Sequence, residues 1–418
     1  MAYQDTVQSR IRAATTSVDA SNLENSMIID ANNYFPERIV NFSSMIEVNA
    51  SSIDKNGKVY GALQHAFSQP NGKTPIYVGR RLVDDTTMTP IVADNTTYGF
   101  TLQTLDTDTN DLSVTWDVEF TSGVSATDAE ITAGLDAAIT ALTIPATELS
   151  ATDNIGTLTI TPAANREVIV TKLEDLTQEF TVTETAADCY TEITNEDNSS
   201  FYYVCTTQRD QTFVIDLAQQ IAATTTSNMP KLFRVSDNDI KTLSAQTDPS
   251  DAEDLIGILE DMEIARCSTE WHDQSEVLFP ELAATVYNGS FFPGTQTFKF
   301  MQNNTTPAAR HPVQGRLLTT QEIGFISDRN SSVAVKERGV TFYHGGQLSQ
   351  GSTSWIDNQI ITDWINDTIE VRVLNVLLNQ SNAGLPLTFT SSDLLLISGT
   401  IDDVLYEAVQ RKMLSGFE

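Results

Sequence analysis

Few residue patterns in this chain could support catalysis or nucleotide binding. Gly72-Lys73-Thr74 matches the end of a phosphate-binding loop, in which backbone N–H groups and a lysine hold phosphate oxygens. That motif requires a glycine five residues before Gly72, where this chain has Phe67. The Gly-x-Ser-x-Gly pattern of serine hydrolases is not present in the sequence. The sequence therefore predicts neither a nucleotide site nor a serine nucleophile, and we expect no catalytic residue.

Metal ligands are also poorly represented. Asp106, Asp108 and Asp111 invite comparison with a calcium loop, but they lack the glycine and the bidentate glutamate of an EF-hand. An acidic hairpin turn is therefore favoured there. The histidines are far apart, and none has a cysteine or a second histidine at ligand spacing. They are His65, His272, His311 and His344. We expect no metal and no cofactor.

The cysteines indicate a reducing environment. There are three of them, an odd number, and none forms a Cys-x-x-Cys pair. They are Cys189, Cys205 and Cys267. We therefore interpret them as reduced, structural residues of a protein made in the cytosol.

The composition is strongly acidic. The 418 residues carry a formal net charge of −32, and each phosphate contact would need a scarce Lys or Arg, which argues against direct nucleic-acid binding. This charge suits a protein that stays apart from its copies until it assembles, or one whose partner is basic. The sequence contains no run of about 18 apolar residues that could span a membrane. Its N-terminus lacks the apolar core of a secretory signal, so we expect no membrane insertion.

The length suggests two or three domains. Residues 1–30 are polar except for Met27-Ile28-Ile29, which predicts an extended arm, with an unstructured N-terminus as the alternative. Residues 31–81 form the first part of an α/β core, in which a helix at Val59–Ser68 precedes a short strand at Ile76–Val78.

An acidic segment follows. Residues 82–165 contain 13 Asp and Glu but no Lys or Arg. Strand patterns surround a helical pattern at Ala126–Leu142, which opens with Thr127 and has Glu130 three residues later, as in a capping box. We predict that residues 82–165 form a separate acidic, β-rich domain, inserted into the core and exposed to solvent.

Short apolar strands alternate with amphipathic helices over residues 166–310. This order predicts a mostly parallel or mixed sheet with helices on both faces. The fold class is therefore α/β with α+β character: a multi-domain chain with a mixed sheet flanked by helices and an inserted β-rich domain. The predicted core strands include Arg38–Asn41, Met45–Val48, Phe201–Thr206, Leu232–Val235, Ala265–Glu270, Phe298–Met301 and Val340–Tyr343, and the helices include Thr183–Thr194, Thr212–Thr224, Ala252–Ile264 and Glu276–Tyr287.

Helical patterns dominate residues 311–418. In Gly351–Gln380 the apolar residues recur at helical spacing, which predicts a core helix of about five turns. A short strand at Leu387–Thr390 and a last helix at Thr400–Met413 follow. The apolar stripe of the long helix contains Ile360, Trp364, Val371, Leu374 and Leu378.

Several segments, in the same order, resemble the tail sheath family of contractile bacteriophages. His65–Arg81 is similar to the stretch in which a helix ends in Phe-Ser-Gln-Pro and leads to a strand that closes on Val-Gly-Arg-Arg. Ser200–Asp237 resembles the family's aromatic strand, helix and second strand, and Ala265–Phe300 resembles its strand ending in Trp-His with the helix that follows. The likeness covers about two-thirds of the chain, with a loose match over residues 82–165, as in a variable decoration domain. The long helix contributes Ser352, Trp355, Ile356, Asp357, Asp363, Trp364 and Ile365.

The resemblance implies a subunit that stacks as hexameric rings around a tail tube and contracts when the baseplate triggers it. Its partners would be further copies of this chain, the tail tube protein, and the baseplate and tail terminator proteins. Its location would be the virion tail, after synthesis in the host cytoplasm. Sheath subunits are joined by terminal arms that add strands to a neighbour's sheet, so Met27–Asp30 is the candidate donated strand. Related chains usually continue beyond the last helix, whereas this one stops at Glu418, so a C-terminal arm is either absent or replaced by the N-terminus.

The resemblance also places the C-terminal helical part, residues 311–418, against the tube and the acidic insertion outside. The interface candidates are Met27, Ile28, Ile29, Asp363, Asp367, Glu370, Arg372, Arg411 and Lys412. Two functions of other classes stay open. One is an adhesin-like module whose acidic β-rich domain binds a surface glycan on an α/β scaffold, and the other is a hydrolase that uses scattered carboxylates.

Overall fold

An eight-stranded mixed sheet forms the centre of the fold in the computed structural model, which describes residues 22–223, 229–246, 248–302, 305–382 and 390–415. The six inner strands are parallel, and each outermost strand is antiparallel to its neighbour. The predicted mixed α/β sheet is therefore confirmed. From edge to edge the strands are β15 (Val340–His344), β14 (Ser332–Glu337), β13 (Cys267–Trp271), β12 (Leu232–Asp237), β11 (Tyr203–Thr206), β1 (Ser26–Ala31), β3 (Ile76–Arg81) and β2 (Ile39–Phe42).

Helices cover both faces of this sheet. The helices in the described ranges are α1 (Met45–Ala50), α2 (Lys58–Phe67), α3 (Asp128–Ala141), α4 (Ala186–Glu196), α5 (Gln211–Ala223), α6 (Leu255–Asp261), α7 (Ser275–Leu278), α8 (Pro280–Asn288), α9 (Thr320–Asp328), α10 (Ile356–Asn382) and α11 (Ser391–Gln410). One face packs against α4, α5 and α6, and the other against α1, α2 and α8. No helix of the described chain is long and apolar enough to cross a lipid bilayer.

Strand β1 corrects the prediction of an N-terminal arm. All six of its residues are buried, and it pairs with β3 and β11 of its own chain, with Ile28 opposite Val78 and Cys205. Met27 and Ile29 pack on one face of the sheet, and Ile28 packs on the other. A strand that is apolar on both sides fits the centre of a parallel sheet. The prediction that this strand is donated to a neighbouring subunit is therefore wrong. Residues 1–21 lie outside the described residues.

The acidic segment builds two sheets and a hydrophobic core of its own. Its strands continue beyond the predicted boundary at residue 165, because β9 (Arg166–Glu174) pairs with β5 (Thr97–Asp106) and β10 (Leu176–Thr181) pairs with β4 (Asp85–Pro90). Arg166 ended the run without basic residues, but a change of charge does not mark the end of a sheet. One sheet contains β10 (Leu176–Thr181), β4 (Asp85–Pro90), β8 (Leu158–Pro162) and β7 (Leu149–Asp153), and the other contains β6 (Trp116–Thr121), β5 (Thr97–Asp106) and β9 (Arg166–Glu174). We call residues 85–181 the inserted unit. Helix α3 packs in its core. The Thr127 side chain accepts a hydrogen bond from the Glu130 N–H, as predicted, but the Glu130 carboxylate accepts from the Gly123 N–H, so only half of the predicted capping box forms.

Local capping and packing move several other boundaries. Residues 45–48 were predicted as a strand, but Ser44 accepts from the Glu47 N–H and opens helix α1 instead. Left-handed Phe279 divides the predicted helix at 276–287 into α7 and α8. Residues 298–301 form no strand. The predicted strand at 387–390 lies outside the described residues except for Thr390, which instead caps α11 in a capping box with Asp393.

The long helix lies inside the patterned stretch of residues 351–380 at its start, and its 27 residues make it longer than the five turns predicted. Residues 351–355 form β17 (Gly351–Trp355), which pairs with β16 (Gln347–Leu348), and α10 starts at Ile356. Asp357 lies in the first turn of α10, where its carboxylate accepts from the Thr297 hydroxyl and the Phe298 N–H.

The turn between β7 and β8 holds a β-branched residue in an unfavourable backbone conformation. Ile155 has a φ of 58° and Gly156 a φ of 106°. The Asn154 N–H donates to the Thr157 carbonyl at 2.8 Å, which together with these angles fits a type I′ hairpin turn. The first central position of such a turn favours Asn, Asp or Gly. The Ile155 side chain is 85% exposed, so little packing offsets the strain.

Replacing Ile155 with asparagine will raise the free energy of unfolding by about 1 kcal/mol, because Asn adopts the left-handed conformation more readily. Urea denaturation of the full chain measures the change. Val114→Asn is the matched control, since Val114 is 70% exposed in the same inserted unit and is not among the positive-φ residues. Equal effects of the two substitutions would contradict the assignment of strain to Ile155.

Candidate interaction surface

Helices α10 and α11 form an antiparallel hairpin. Gly294 lies against both Ile361, near the start of α10, and Met413, just beyond the end of α11. Farther along α10, the guanidinium of Arg372 forms an ion pair with Glu407 of α11. The two helices therefore run in opposite directions along their contact.

The base of the hairpin is part of the core. Ile356, Ile360 and Trp364 of α10 share a hydrophobic cluster with Val404 and Ala408 of α11. These residues fix the hairpin to the body of the molecule. The first part of the apolar stripe is thus a core stripe, as the sequence predicted.

Two aromatic contacts close this cluster at its edge. The Trp364 and Phe292 rings are 5.4 Å apart in an edge-to-face arrangement. The Arg411 guanidinium lies 3.6 Å from the centre of the Phe292 ring, in a cation–π geometry.

Asp363 is an internal anchor and not an exposed interface residue. Its two carboxylate oxygens accept hydrogen bonds from the two terminal nitrogens of Arg266, each at 2.6 Å. The Tyr202 hydroxyl donates to the same carboxylate at 2.7 Å, and the Gln359 amide donates at 2.9 Å. The Asp363 side chain is only 1% exposed. The interface prediction for Asp363 is therefore wrong, because its charge is fully engaged within the chain.

Asp367 is also buried, which corrects a second predicted interface residue. It lies one turn after Asp363, beside a groove of about 260 Å³ that Leu23, Phe292 and Trp364 also line. Helical periodicity had placed Asp363 and Asp367 away from the apolar stripe. The body of the molecule covers that face too, so periodicity within the helix did not identify its exposed side.

Four of the predicted interface residues remain at least partly accessible. Glu370 and Lys412 are exposed. Arg372 is partly exposed and Arg411 is exposed, but both bind Glu407, Arg411 at 2.9 Å. The hydrogen bond from Arg372, with a further one from Arg411, holds the pKa of the Glu407 carboxyl below its usual range. The positive charge of these two arginines is thus partly neutralised within the hairpin.

Exposed leucines, which sequence reasoning missed, cover the distal half of the hairpin. Leu374 was predicted in the core stripe but is exposed, as is Leu377. The apolar stripe of α10 continues past the point where the described part of the chain packs against it. The beginning of α11 adds Leu394, Leu395 and Leu396, of which Leu395 is 72% exposed. The signal in the sequence was three consecutive leucines after a helix cap, a pattern that no single buried stripe accommodates.

A second charged group lies inside the main sheet. Arg234 on β12 and Glu270 on β13 are fully buried, with 3.4 Å between the guanidinium nitrogen and the carboxylate oxygen. Burial raises the pKa of Glu270 to about 8, and the attraction of Arg234 lowers it by less. Glu281, also buried, accepts from Arg209 at 2.7 Å and from Ser236 at 2.5 Å. Both carboxylates are enclosed, and these ion pairs connect elements of the core.

Two histidines and the three cysteines are core residues of the described chain. His65 and His272 are buried and hydrogen-bonded to the carbonyls of Leu278 and Pro307. All three cysteines are free and buried, and burial raises the pKa of each thiol. Within the described ranges, no three His, Cys, Asp or Glu side chains converge in a way that could hold a metal ion.

The chain is similar to several solved structures of sheath proteins. The sheath tail protein of Listeria innocua matches 98% of this chain and 90% of its own, at 10% identity and a TM-score of 0.51. The anti-feeding prophage helical sheath in its contracted state matches 95% of this chain and 81% of its own, at 10% identity and a TM-score of 0.49. The sheath tail protein of Desulfitobacterium hafniense matches 94% and 87%, at 9% identity and a TM-score of 0.43.

Sequence comparison adds no further relative, since no family model and no curated protein matches the chain. The likeness to the Listeria innocua protein is therefore one of fold, and it extends over nearly the whole of both chains. The chain has the fold of a sheath tail protein.

Proposed function

We propose that this protein is the structural subunit of a contractile tail sheath. The observation that carries the proposal is the fold likeness to a sheath tail protein over 98% of the chain. The family resemblance of His65–Arg81, Ser200–Asp237 and Ala265–Phe300 supports it from the sequence. The subunit assembles as stacked hexameric rings around a tail tube and contracts to drive the tube through the host envelope. Its place is the virion tail.

Contraction of this kind requires two packings of the same subunit and no cofactor. The free energy is stored in the difference between the two sets of contacts between subunits. The partners are other copies of this chain, the tail tube protein, and the baseplate and tail terminator proteins. The net charge of −32 keeps free subunits apart and disfavours direct contact with nucleic acid.

The hairpin of α10 and α11 supplies the surface that faces the tube. Its distal leucines present an apolar surface, and the predicted interface cations Arg411 and Lys412 are exposed. An apolar surface of this kind is typical of a protein contact. The inserted unit lies on the outside of the sheath, away from the tube.

Electron microscopy of the purified full chain tests the proposal. We expect long hollow tubes or stacked rings with six-fold symmetry, with the inserted unit on the outer surface and the hairpin on the inner surface. Monomers or trimers at every concentration would overturn the sheath function. Tubes with the inserted unit against the lumen would leave the sheath function standing and overturn the placement of the two surfaces.

A further inference from the structure

The inserted unit ends in a set of loops far from the main sheet. Strand β4 leaves the main body at Asp85 and runs outward to Pro90, and β10 returns from Leu176 to Thr181. The Asp84 N–H donates to the Thr181 carbonyl, which closes the base of the unit. The loops at the opposite end are residues 91–96, 122–127, 154–157 and 174–175, which we call the apical loops.

Hydrogen bonds hold the apical loops together. The Asn95 N–H donates to the Gly123 carbonyl, and the Ala126 N–H donates to the Asp94 carboxylate at 2.8 Å. The Ile91 N–H donates to the Asp175 carbonyl at 2.9 Å. These bonds join three of the apical loops, and the loop at 154–157 is held to α3, where the Gly156 N–H donates to the Thr132 hydroxyl.

Aliphatic side chains stand out from this surface. Ile155 is 85% exposed, Val124 is 76% exposed, and Ile91 and Val92 are about half exposed. In the register of β4 and β8, Met88 faces Leu158, and continuing it by three residues brings Ile91 opposite Ile155. Val124 lies between Gly123 and Ser125, in the loop bonded to residues 94 and 95. Four aliphatic residues thus share this end of the inserted unit.

The backbone conformation of Ile155 also indicates a role for this surface. A type I′ turn favours Asn, Asp or Gly at this position, yet the chain holds an exposed isoleucine there in a strained conformation. Strain without compensating packing suggests that the side chain has a role outside the folded subunit.

Carboxylates surround these aliphatic side chains. The apical loops and the residues beside them hold six acidic side chains and one basic side chain. The acidic residues are Asp94, Asp128, Glu130, Asp153, Glu174 and Asp175, and the basic residue is Lys172. This excess of negative charge favours a partner whose surface is positively charged.

We propose that the apical loops bind a polypeptide surface that is basic and presents aliphatic side chains. Carboxylates around an apolar centre complement lysine or arginine around an apolar centre. The same charge repels nucleic acid, anionic lipid and a second copy of this acidic chain. The apical loops contain no aromatic residue on which a sugar ring could stack, which disfavours a glycan partner. The inference does not depend on the proposed sheath function.

The probe is a fluorescent peptide of alternating lysine and leucine, titrated with the full-length chain. Ile155→Asn and Val124→Asn remove aliphatic side chains from the apical loops, and we expect each to weaken binding about tenfold. Val114→Asn is the control. Val114 is comparably exposed, but it lies at the opposite end of β5, where the Ser113 N–H bonds to the Thr104 carbonyl. This control should leave binding unchanged. Ile155→Asn is expected to fold at least as stably as the natural chain, so its loss of binding is not a loss of structure.

Two further peptides make the proposal falsifiable. A lysine and serine peptide that bound as tightly would show attraction by charge alone, and a glutamate and leucine peptide that bound as tightly would show that the carboxylates play no part. Either result would overturn the proposal. So would failure of the lysine and leucine peptide to bind, or equal binding by the two apical variants and the Val114→Asn control.

Discussion

Replacing Asp363 with alanine will lower the free energy of unfolding by about 3–5 kcal/mol, because the change leaves the buried guanidinium of Arg266 without a counter-charge. The carboxylate accepts two hydrogen bonds of 2.6 Å from Arg266 and one of 2.7 Å from Tyr202. Tyr202 directly precedes β11 and Arg266 directly precedes β13, so their bonds to Asp363 hold α10 against the main sheet. Urea denaturation followed by circular dichroism measures the loss.

Two companion variants separate the ion pair from a general effect on the helix. Glu370→Ala, two turns farther along α10 and exposed, should change stability by less than about 0.5 kcal/mol. Asp363→Asn keeps the shape and some hydrogen bonds, so its loss should fall between the other two. A loss below about 1 kcal/mol for Asp363→Ala would mean that Arg266 finds another partner or reaches water, and the anchor assignment would fail.

The role of Asp363 shows what the sequence could not provide. Helical periodicity correctly separated it from the apolar stripe formed by Ile360 and Trp364. Its partner Arg266 is 97 residues away in the chain, and nothing local to either residue connects them. A charged residue opposite the apolar stripe therefore has two explanations, solvent or a buried partner, and only the tertiary structure distinguishes them.

The fold was more predictable than the surfaces. Alternating apolar strands and amphipathic helices indicate a mixed sheet covered on both faces, and that inference uses local patterns only. The same patterns do not give strand order. Met27, Ile28 and Ile29 are surrounded by polar residues in the sequence, yet they form a central strand because β3 and β11 lie on either side. The same limit applies at the end of the inserted unit. There β9 pairs with β5 and β10 pairs with β4, and local patterns do not predict pairing between strands so far apart in sequence.

The buried Glu270 should make the protein less stable as the pH rises from 6.5 to 8. Burial raises its pKa from 4.5 to about 8, so over this range the folded chain holds a proton that the unfolded chain has released. The free energy of unfolding then falls with rising pH, by at most about 1.4 kcal/mol per pH unit. The full contribution is present below pH 4.5 and is lost as the pH rises through the folded-state pKa.

Other groups with shifted pKa values limit the pH range in which the effect of Glu270 can be measured separately. Asp30 and Asp237 also lower the free energy of unfolding as the pH rises. Burial raises their pKa values only to about 6, so most of this change occurs below pH 6.5. Burial lowers the pKa of His65 and His272, and the stability from their neutral forms is lost as the pH falls below 6.5. Burial lowers the pKa of Lys231 to about 8, so the contribution of Lys231 to the free energy of unfolding changes with pH mainly above pH 8.

Glu270→Gln isolates the contribution of this one carboxyl, because glutamine has nearly the same shape and cannot ionise. Between pH 6.5 and 8 the natural chain should lose about 2 kcal/mol relative to this variant, with Glu370→Gln as the exposed control that follows the natural chain. The measurement is urea denaturation at several pH values in constant salt, because screening also changes repulsion among the other carboxylates. Parallel pH profiles for the natural chain and Glu270→Gln would mean that Arg234 keeps Glu270 ionised throughout. In that case removal of the carboxylate would destabilise the fold at every pH in the window, since it would leave Arg234 buried without a partner.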